Sequence, residues 1–379
     1  MLDPPELDKR IGLLCYYREW RRISGRLRSR LSDFVVDEIW AGASALEAAS
    51  GLRSPAVREG PHAVFVVTKF GLTTHSAAAR LAEILRIPAR KVSFAGLKDK
   101  RAIAAQFMSA PVGRPPEYLR FRDLLVRFVC RSETPISRGS NSGNRFAIVV
   151  RNTDPPELAY RLKELVKGFP NFFSYQRFGD RDPLNHELGR LILQRRFGEA
   201  AERIASKPGG GLYERNVREA LRRGEDPLKA LRKIGRSVLE LLVHSYQAYV
   251  FNLLLSWRIS ELGLEPTAGD PSILGENSRP VLALPLPGAG AVLPPGWVKS
   301  RMEQILSEDG LTLNSFDVSE LGLTCRGELR PALAHARRLR VLEMPGALAA
   351  SFELPRGAYA TSMLREALLP ADPSAQGFL

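Results

Sequence analysis

Strand-forming segments open and close this chain, and a predominantly helical stretch lies between them. Runs rich in Val and Phe, such as 62–70, alternate with turn residues in the first part, and similar runs return at 339–343 and 350–354. Between 180 and 257 apolar residues recur at helical spacing. This pattern predicts a discontinuous domain built from residues 1–168 and 336–379, with a second, helix-rich domain inserted at 169–335.

Local patterns predict the individual elements. Alternating or β-branched runs predict strands at 34–39, 62–70, 92–95, 106–112, 124–131 and 146–151. Thr74 can cap a helix that ends before Pro88, and Pro155-Pro156 suit the first turn of a helix that Gly168 stops. Further helices are expected at 298–307, 330–337 and 358–368. The apolar region 241–255 contains His244, Gln247 and Asn252, which predicts a buried helix and not a membrane span.

The charge of the chain predicts a polyanionic partner. Its 379 residues carry a formal net charge of +14. Nucleic acid and an anionic membrane surface both fit this charge, but no run of apolar residues is long enough to span a bilayer. The N-terminus lacks the pattern of a signal peptide, and the three distant cysteines do not form a disulfide framework. We therefore expect a cytoplasmic protein.

Asp99 is the candidate for chemistry. The signatures of nucleotide-binding loops, zinc sites and serine nucleophiles are missing from the sequence. Asp99 follows a short apolar run and lies among Lys98, Lys100 and Arg101, whose charges favour an ionised carboxylate. An ionised aspartate can serve as nucleophile, metal ligand or electrostatic anchor. Taken alone, the segment is more typical of a solvated charged turn.

Three other stretches contain residue types that bind or position RNA. Asn144 and Phe146 stand at the head of a predicted strand, where a polar turn entering a core strand explains them equally well. The segment Asn171–Gly179 interleaves four aromatic residues with Asn, Gln and Arg. Aromatic rings stack on unpaired bases, so this segment favours a functional loop over a set of core aromatics. The third stretch, 354–366, has the pattern of a strand end followed by a helix start, which a purely structural role also explains.

The ordered series of these stretches resembles the TruD family of tRNA pseudouridine synthases. The family's G-x-K-D-x-x-A-x-T-x-Q corresponds to 96–106, its G-N-x-F to 143–146, its aromatic loop to 171–179 and its F-x-L-P-x-G-[SA]-[YF]-A-T to 352–361. The chain departs from the family pattern at Ala104, where threonine is usual, at Ser174, where glycine is usual, and at Arg28, where lysine is usual. None of these departures removes the aspartate.

The resemblance implies a fold, a reaction and a set of site residues. The implied fold is α+β: a mixed, mostly antiparallel pseudouridine synthase sheet with flanking helices, carrying the inserted domain. The implied reaction is isomerisation of uridine, at position 13 of tRNA, to pseudouridine by a monomeric enzyme without cofactor, metal or membrane. Asp99 would be the catalytic residue. The residues implied in substrate binding are Arg28, Lys98, Asn144, Phe146, Asn171, Phe173, Gln176 and Arg177.

Two alternatives of another class remain open. An RNA-binding protein without catalysis would keep the basic surface and would not need Asp99. A carboxylate-based glycoside hydrolase would need a second acidic residue about 5 to 10 Å away. Asp37 and Glu38 are the candidates for that second acid.

Overall fold

The computed structural model describes residues 2–179, 184–207, 211–267, 269–275 and 279–379. These residues form two compact units. The sheet unit consists of Arg21–Phe169 and Ala334–Phe378, and the helical unit of Met1–Trp20, Pro170–Leu333 and Leu379. The main difference from the predicted division lies at the N-terminus. Residues 1–20 join the helical unit because Asn252 Nδ2 donates to Ile11 O over 2.8 Å and Leu14 N donates to Ser256 Oγ over 3.0 Å.

In chain order, the strands are β1 (Phe34–Trp40), β2 (Ala43–Ser44), β3 (His62–Phe70), β4 (Ser93–Phe94), β5 (Ile103–Ala110), β6 (Tyr118–Arg120), β7 (Leu124–Ser132), β8 (Gly143–Arg151), β9 (Phe169–Pro170), β10 (Ser272–Leu274), β11 (Pro280–Pro285), β12 (Asp317–Val318), β13 (Leu323–Thr324), β14 (Leu329–Pro331), β15 (Leu333–Ala334), β16 (Arg337–Met344) and β17 (Ala347–Pro355).

The α-helices are α1 (Glu6–Arg10), α2 (Ala45–Ala49), α3 (Thr74–Ile84), α4 (Pro155–Leu165), α5 (Tyr175–Phe178), α6 (Asn185–Leu193), α7 (Phe197–Ser206), α8 (Leu212–Arg222), α9 (Pro227–Arg232), α10 (Arg236–Leu262), α11 (Trp297–Glu308) and α12 (Ala360–Leu368). Short 3₁₀ turns occur at Leu31–Asp33, Ala89–Lys91, Leu313–Phe316 and Ser319–Leu321.

A mixed, mostly antiparallel sheet forms the centre of the sheet unit. Its strand order is β16-β17-β8-β1-β5-β3-β7-β6, with β2 paired to β1 and β4 paired to β5. The β1–β5 pair is parallel, and the other pairs are antiparallel. The predicted α+β fold with such a sheet is confirmed. Segments far apart in the chain meet in this sheet, since β17 pairs with β8.

The two faces of this sheet carry different layers. Side chains of cross-strand partners lie on the same face. On one face, Phe65 and Val67 of β3 pack with Leu81 of α3, and on the other, Val64 and Val66 pack with residues of α2. The partner pairs 36–104, 38–144 and 69–104 place the central residues of β1, β5 and β8 in register. We call the face that α3 covers the α3 face, and it also carries the candidate site.

The helical unit is organised around α10. The predicted buried helix at 241–255 is confirmed, because Val243, Phe251 and Leu254 are fully buried. Within the described residues, α10 is the one helix that is long and apolar enough to cross a membrane by length and composition. Of its most apolar window, 67% is buried inside the protein, as in a core helix.

Two local predictions differ from the structure. The helix predicted at 330–337 is absent from these described residues, which form β14, β15 and the start of β16. Strand pairing overrides the local pattern in this segment, since Leu329–Pro331 pairs with β11. The predicted cap of α3, Thr74, is the first helical residue, and Thr73 caps the helix by accepting from Ser76 N over 3.1 Å. The hydroxyl of Thr74 is therefore available for other contacts.

Candidate active site

Asp99 lies in the loop between β4 and β5, and Arg28 holds its side chain. Arg28 Nη2 donates to Asp99 Oδ2 over 3.0 Å, and the side chains of Arg28 and Asp99 are 7% and 15% exposed. Arg28 Nη1 donates to the carbonyls of Gly377 and Phe378 over 2.8 and 3.2 Å, and the guanidinium carbon lies 4.1 Å from the centroid of the Phe34 ring. The backbone of Arg28 has φ 51°, a conformation that non-glycine residues adopt only when their surroundings enforce it.

The two carboxylate oxygens of Asp99, Oδ1 and Oδ2, differ in their hydrogen bonds. Among the described residues, none donates a hydrogen bond to Oδ1, whereas Oδ2 is engaged by Arg28. A carboxylate that is held through one oxygen and partly open to solvent keeps its other oxygen available for a substrate atom. The geometry is therefore that of an oriented nucleophile or charge stabiliser.

Lys69 fixes the backbone of the same loop. Its side chain is fully buried at the end of β3, and Nζ donates to Asp99 O over 2.5 Å and to Leu72 O over 2.8 Å. Burial lowers the pKa of this ammonium to about 8, while the negative charge of Asp99 opposes that shift. Lys69 thus brings a buried positive charge next to the candidate carboxylate.

Lys98 occupies a different position from the one the sequence predicts. It is expected to face RNA beside Asp99, but the structure buries it at 8% exposure and pairs its Nζ with Glu38 Oε1. Glu38 Oε2 also accepts from Phe107 N over 2.9 Å. The pair ties the Asp99 loop to β1 and β5. Lys100 and Arg101 are exposed.

This pairing bears on the glycoside hydrolase alternative. Glu38 is fully buried and both of its oxygens are engaged. Asp37 lies on the sheet face opposite the α3 face, where it accepts from Leu46 N over 2.9 Å and burial raises its pKa. Neither carboxylate stands free beside Asp99 as a second acid would.

Thr74 and Gln106 complete the support of the loop. Thr74 Oγ1 accepts from Lys98 N over 2.9 Å and donates to Gln106 Oε1 over 3.0 Å. Gln106 Nε2 donates to Gly96 O over 3.5 Å. These contacts link the start of α3, the strand β5 and the loop, so the position of Asp99 depends on three elements.

An aromatic cluster lies on the α3 face of the sheet. The rings of Phe146 and Phe352 are stacked with centroids 5.7 Å apart, and Phe34 meets Phe146 edge-on at 6.2 Å. The guanidinium of Arg28 also packs over the ring of Phe34. Phe146 is 7% exposed, so its ring is mostly covered in the free protein. The cluster connects Asp99, through Arg28, to Phe146, one of the residues that the resemblance implies in substrate binding.

Asn144 is half-buried on β8, opposite Glu38 of β1 and Leu354 of β17. Its Oδ1 is buried and lacks a hydrogen-bond partner among the described residues. The preceding Gly143 is required by the sheet, because a Cβ there would lie 2.3 Å from Leu354 O. An unsatisfied buried amide oxygen is rare in proteins, and it suits a site that a ligand donor completes.

Four of the predicted substrate-binding residues belong to the helical unit: Asn171, Phe173, Gln176 and Arg177. Two of them, Asn171 and Phe173, are buried and make contacts within that unit. Asn171 Oδ1 accepts from Arg330 Nη2 over 2.8 Å, and its Nδ2 donates to Pro331 O over 3.0 Å. Phe173 is 6% exposed and lies under the guanidinium of Arg330 at 3.9 Å. Phe173 N also donates to Asn252 Oδ1 over 2.9 Å.

The aromatic segment therefore differs from the predicted base-stacking loop. Its four rings are buried, which places them in the core of the helical unit: Phe172, Phe173, Tyr175 and Phe178. Gln176 is exposed and Arg177 is half-buried, with its guanidinium 5.6 Å from the Phe173 ring. Of the residues predicted in this segment, these two keep access to solvent.

Three residues make contacts in the site that local sequence patterns do not predict, and one of them, Glu38, is predicted only as the second acid of a glycoside hydrolase. Glu38 and Lys69 stand 60 and 30 residues from the loop residues they contact, and Phe34 lies in an ordinary strand. Only the pairing of β1 and β3 with β5 brings them to the Asp99 loop. The signal available in the sequence is a charged residue inside each of these apolar strands, since a buried charge requires a partner.

Comparison with known proteins shows similarity over almost the whole chain. The family model described as tRNA pseudouridine synthase D (TruD) matches residues 10–211, 205–282 and 272–367. A protein of Pyrobaculum neutrophilum named as a probable tRNA pseudouridine synthase D is 30% identical, with 100% of both chains covered. One of Methanopyrus kandleri with the same name is 32% identical over 87% of this chain and 92% of its own.

A solved structure agrees with these relatives. The crystal structure of the Methanosarcina mazei protein, named as a putative tRNA pseudouridine synthase D, has a TM-score of 0.70 and 26% sequence identity, and the match covers 97% of this chain and 99% of that one. The family model, the relatives and the shared fold agree, and the chain belongs to the TruD family of tRNA pseudouridine synthases.

Proposed function

We propose that this pseudouridine synthase acts on uridine 13 of tRNA and that Asp99 is its catalytic residue. The observation that supports the role of Asp99 most strongly is the orientation of its carboxylate. Arg28 engages Oδ2 over 3.0 Å, Lys69 anchors the backbone carbonyl over 2.5 Å, and Oδ1 accepts no hydrogen bond from the described residues. The carboxylate is thereby oriented while one oxygen stays available. The position of the target uridine rests on the family resemblance.

The reaction exchanges one bond of the nucleotide for another. The bond between C1′ of the ribose and N1 of the uracil breaks, the detached base turns, and C1′ bonds to C5. The proton leaves C5 and N1 gains one, so no oxidant or reductant is needed. Asp99 acts in its ionised form, either by attacking the nucleotide or by offsetting the positive charge that develops on the sugar.

Access to the base requires flipping of the uridine out of the folded tRNA, which costs a few kcal/mol. The family resemblance implies Phe146 as the residue that contacts the flipped uracil, and a stacked ring contributes about 1 to 3 kcal/mol per base. Because the ring is 7% exposed, stacking on it requires the side chains that cover it to move when the base binds. The amide of Asn144 would bond the polar edge of the base, because its buried Oδ1 lacks a partner among the described residues. Arg28 would stabilise the charge on Asp99 before and after bond cleavage.

The remaining predicted residues divide into two roles. Lys98 would position the Asp99 loop through Glu38, since its ammonium is buried. Gln176 and Arg177, which keep solvent access, would contact the tRNA backbone, whereas Asn171 and Phe173 would maintain the fold of the helical unit. The proposal includes a monomeric enzyme that works in the cytosol, in keeping with a tRNA substrate.

The experiment is to incubate the protein with unmodified tRNA transcripts and to map pseudouridine by carbodiimide treatment and primer extension. The wild-type protein is expected to give a single stop, one nucleotide 3′ of position 13, which reports pseudouridine at that position, and Asp99→Ala none. A stop at another uridine would overturn the assigned position and leave the reaction in place. Equal product from wild type and Asp99→Ala would overturn the role of Asp99. Release of free uracil would show hydrolysis instead of isomerisation.

A further inference from the structure

The turn between β6 and β7, residues Phe121–Asp123, lies at the end of β3 from which Lys69 reaches the Asp99 loop. Phe70 N at the end of β3 donates to Asp123 O over 3.0 Å. The preceding residue of β3, Lys69, pairs with Leu124 of β7 and donates through Nζ to Asp99 O. The turn is therefore joined to the candidate catalytic loop through two adjacent residues of one strand.

This turn exposes an aromatic ring together with a guanidinium. Phe121 is 37% exposed, and the guanidinium carbon of Arg80 lies 5.4 Å from its ring centroid. Arg80 is in turn oriented by an ion pair with Asp123. Phe121 is not part of the apolar cluster under α3, which the neighbouring Leu119 and Phe128 join. The ring thus contributes little to the core and stays available at the surface.

Unpaired positive charge flanks the ring. Arg120 and Arg122 are exposed, and neither side chain has an ionic or hydrogen-bond partner in the part of the chain that the structure describes. Arginines without partners on a protein of net charge +14 are suited to phosphate groups. An exposed ring between such cations is the composition with which proteins bind unpaired nucleotides.

We propose that the β6–β7 turn binds the RNA strand adjacent to the target uridine. Flipping of the uridine leaves its neighbours with an unstacked face, and Phe121 would stack on one of these bases. Arg120 and Arg122 would contact the phosphates on either side. The inference rests on the proposed function, because the turn is placed relative to Asp99. It adds a binding site for the flanking nucleotides to the pocket for the base.

The test compares four variants with the wild-type enzyme: Phe121→Ala, Phe121→Trp, Arg122→Gln and Arg90→Gln. Arg90 is the matched control, because it is also exposed and lies beyond the far end of α3. Binding of a fluorescent tRNA transcript and pseudouridine formation are measured separately, and thermal unfolding checks the fold. Phe121→Ala is expected to weaken tRNA binding about 5- to 100-fold relative to the wild type. Phe121→Trp, which keeps an aromatic ring, is expected to bind like the wild type.

The arginine variants report the phosphate contacts. Arg122→Gln is expected to reduce the slope of log affinity against log salt concentration by about 1, and Arg90→Gln to leave that slope unchanged. If Phe121→Ala and Arg122→Gln bind and react like the wild type, the inference is overturned and the proposed function stands. Competition by polyglutamate as strong as competition by an RNA hairpin would overturn it in favour of an acidic polypeptide.

The two proposals fail in distinguishable ways. If the wild-type protein binds the transcript but forms no pseudouridine, the proposed function fails. A loss of binding in Phe121→Ala, rescued in Phe121→Trp, would support the RNA contact even then. Equal binding by all variants would overturn the contact whatever the catalytic result.

Discussion

Arg28 is the residue on which the orientation of Asp99 depends. It joins the carboxylate to two backbone carbonyls and to the ring of Phe34. A lysine carries the same charge but presents one nitrogen where the guanidinium presents two. The family resemblance identifies this position as one where lysine is usual, so the arginine of this chain makes contacts that a lysine cannot make together.

Replacing Arg28 by lysine is therefore expected to lower the rate of the chemical step. We expect Arg28→Lys to reduce the single-turnover rate by about 10- to 100-fold, because small displacements of a catalytic group have effects of this size. The affinity for tRNA should stay unchanged, since the positive charge is kept. Arg26→Lys is the control, as Arg26 is exposed and lies outside the site. A variant whose rate is normal and whose binding is impaired would contradict the positioning role.

The lowered pKa of Lys69 predicts how the reaction rate depends on pH. Burial lowers its pKa to about 8, so its positive charge is lost as the pH rises through that value. We expect the single-turnover rate to fall above pH 8 as the charge beside the Asp99 loop disappears. The check is a rate profile from about pH 6.5 to 9.5, with Lys69→Arg expected to stay active at the alkaline end because arginine keeps its charge. A wild-type rate that stays level across this range would show that the charge on Lys69 has no part in the reaction.

The shifted pKa of Lys69 also predicts how the free energy of unfolding changes with pH. Because the folded-state pKa of Lys69 is about 8 and its ordinary value is 10.5, the unfolded chain binds more protons between these values. The contribution of Lys69 to the free energy of unfolding must therefore rise with pH across this window. Urea unfolding of the wild type and of Lys69→Met across the same window would show this rise as a difference between the two proteins.

Among single residues, motifs predict part of the candidate site. Asp99, Arg28, Asn144 and Phe146 are reached from motifs, and the structure places them on one side of one sheet. Lys98 is assigned to RNA although Glu38 binds it, because a string of adjacent charges does not reveal which members turn inward. The aromatic residues at 172–178 are predicted in a stacking loop and lie in the core. Their irregular spacing is that of a buried loop as much as that of an exposed one.

At the level of elements, the buried pair of Glu38 and Lys98 connects β1 to the Asp99 loop. Removing one partner of a buried pair leaves an uncompensated charge, whereas removing both is often nearly neutral. Glu38→Gln is expected to lower the free energy of unfolding by about 3 to 5 kcal/mol. The double variant Glu38→Gln, Lys98→Met should recover most of this loss in urea unfolding.

The control for this cycle is Glu83→Gln, because Glu83 is exposed on α3 and its carboxylate has no partner among the described residues. It should unfold like the wild type. If the losses of Glu38→Gln and Lys98→Met simply add in the double variant, the two side chains are not coupled.

Most elements follow from local patterns, and the exceptions have physical causes. The strand at 62–70 is predicted at its observed bounds, since its alternation and β-branched residues agree with its place in the sheet. The segment 330–337 is predicted as a helix but forms strands, because Leu329–Pro331 completes a sheet with β11. Thr73, and not Thr74, caps α3, and the single-residue shift places the Thr74 hydroxyl on the backbone of Lys98.

For the whole molecule, the predicted α+β fold agrees with the similarity to the solved structure from Methanosarcina mazei. The sequence does not reveal that residues 1–20 pack with the helical unit. Ile11 and Leu14 contact side chains of α10, more than 200 residues away in the chain. Long-range contacts of this kind leave no local periodicity, so they emerge only from the folded structure.

The charge of the whole molecule predicts strongly salt-dependent tRNA binding. A protein that contacts about 6 to 10 phosphates loses about 10³ to 10⁵ in affinity between 50 and 200 mM salt. We expect a slope in this range from anisotropy titrations of labelled tRNA, given the net charge of +14. The rate of the bound complex should be insensitive to salt. A flat affinity would contradict recognition through phosphates.

If Asp99 performs the chemistry and the surrounding cations bind the tRNA, a substitution of Asp99 should lower the reaction rate and leave the tRNA affinity unchanged. The decisive experiment is tritium release from tRNA labelled at C5 of uridine, under single-turnover conditions, with wild type and Asp99→Asn. We expect the rate of Asp99→Asn to be reduced about 10⁴-fold or more, with unchanged tRNA affinity and unchanged thermal unfolding. Release of tritium at the wild-type rate by Asp99→Asn would contradict the catalytic role of this carboxylate.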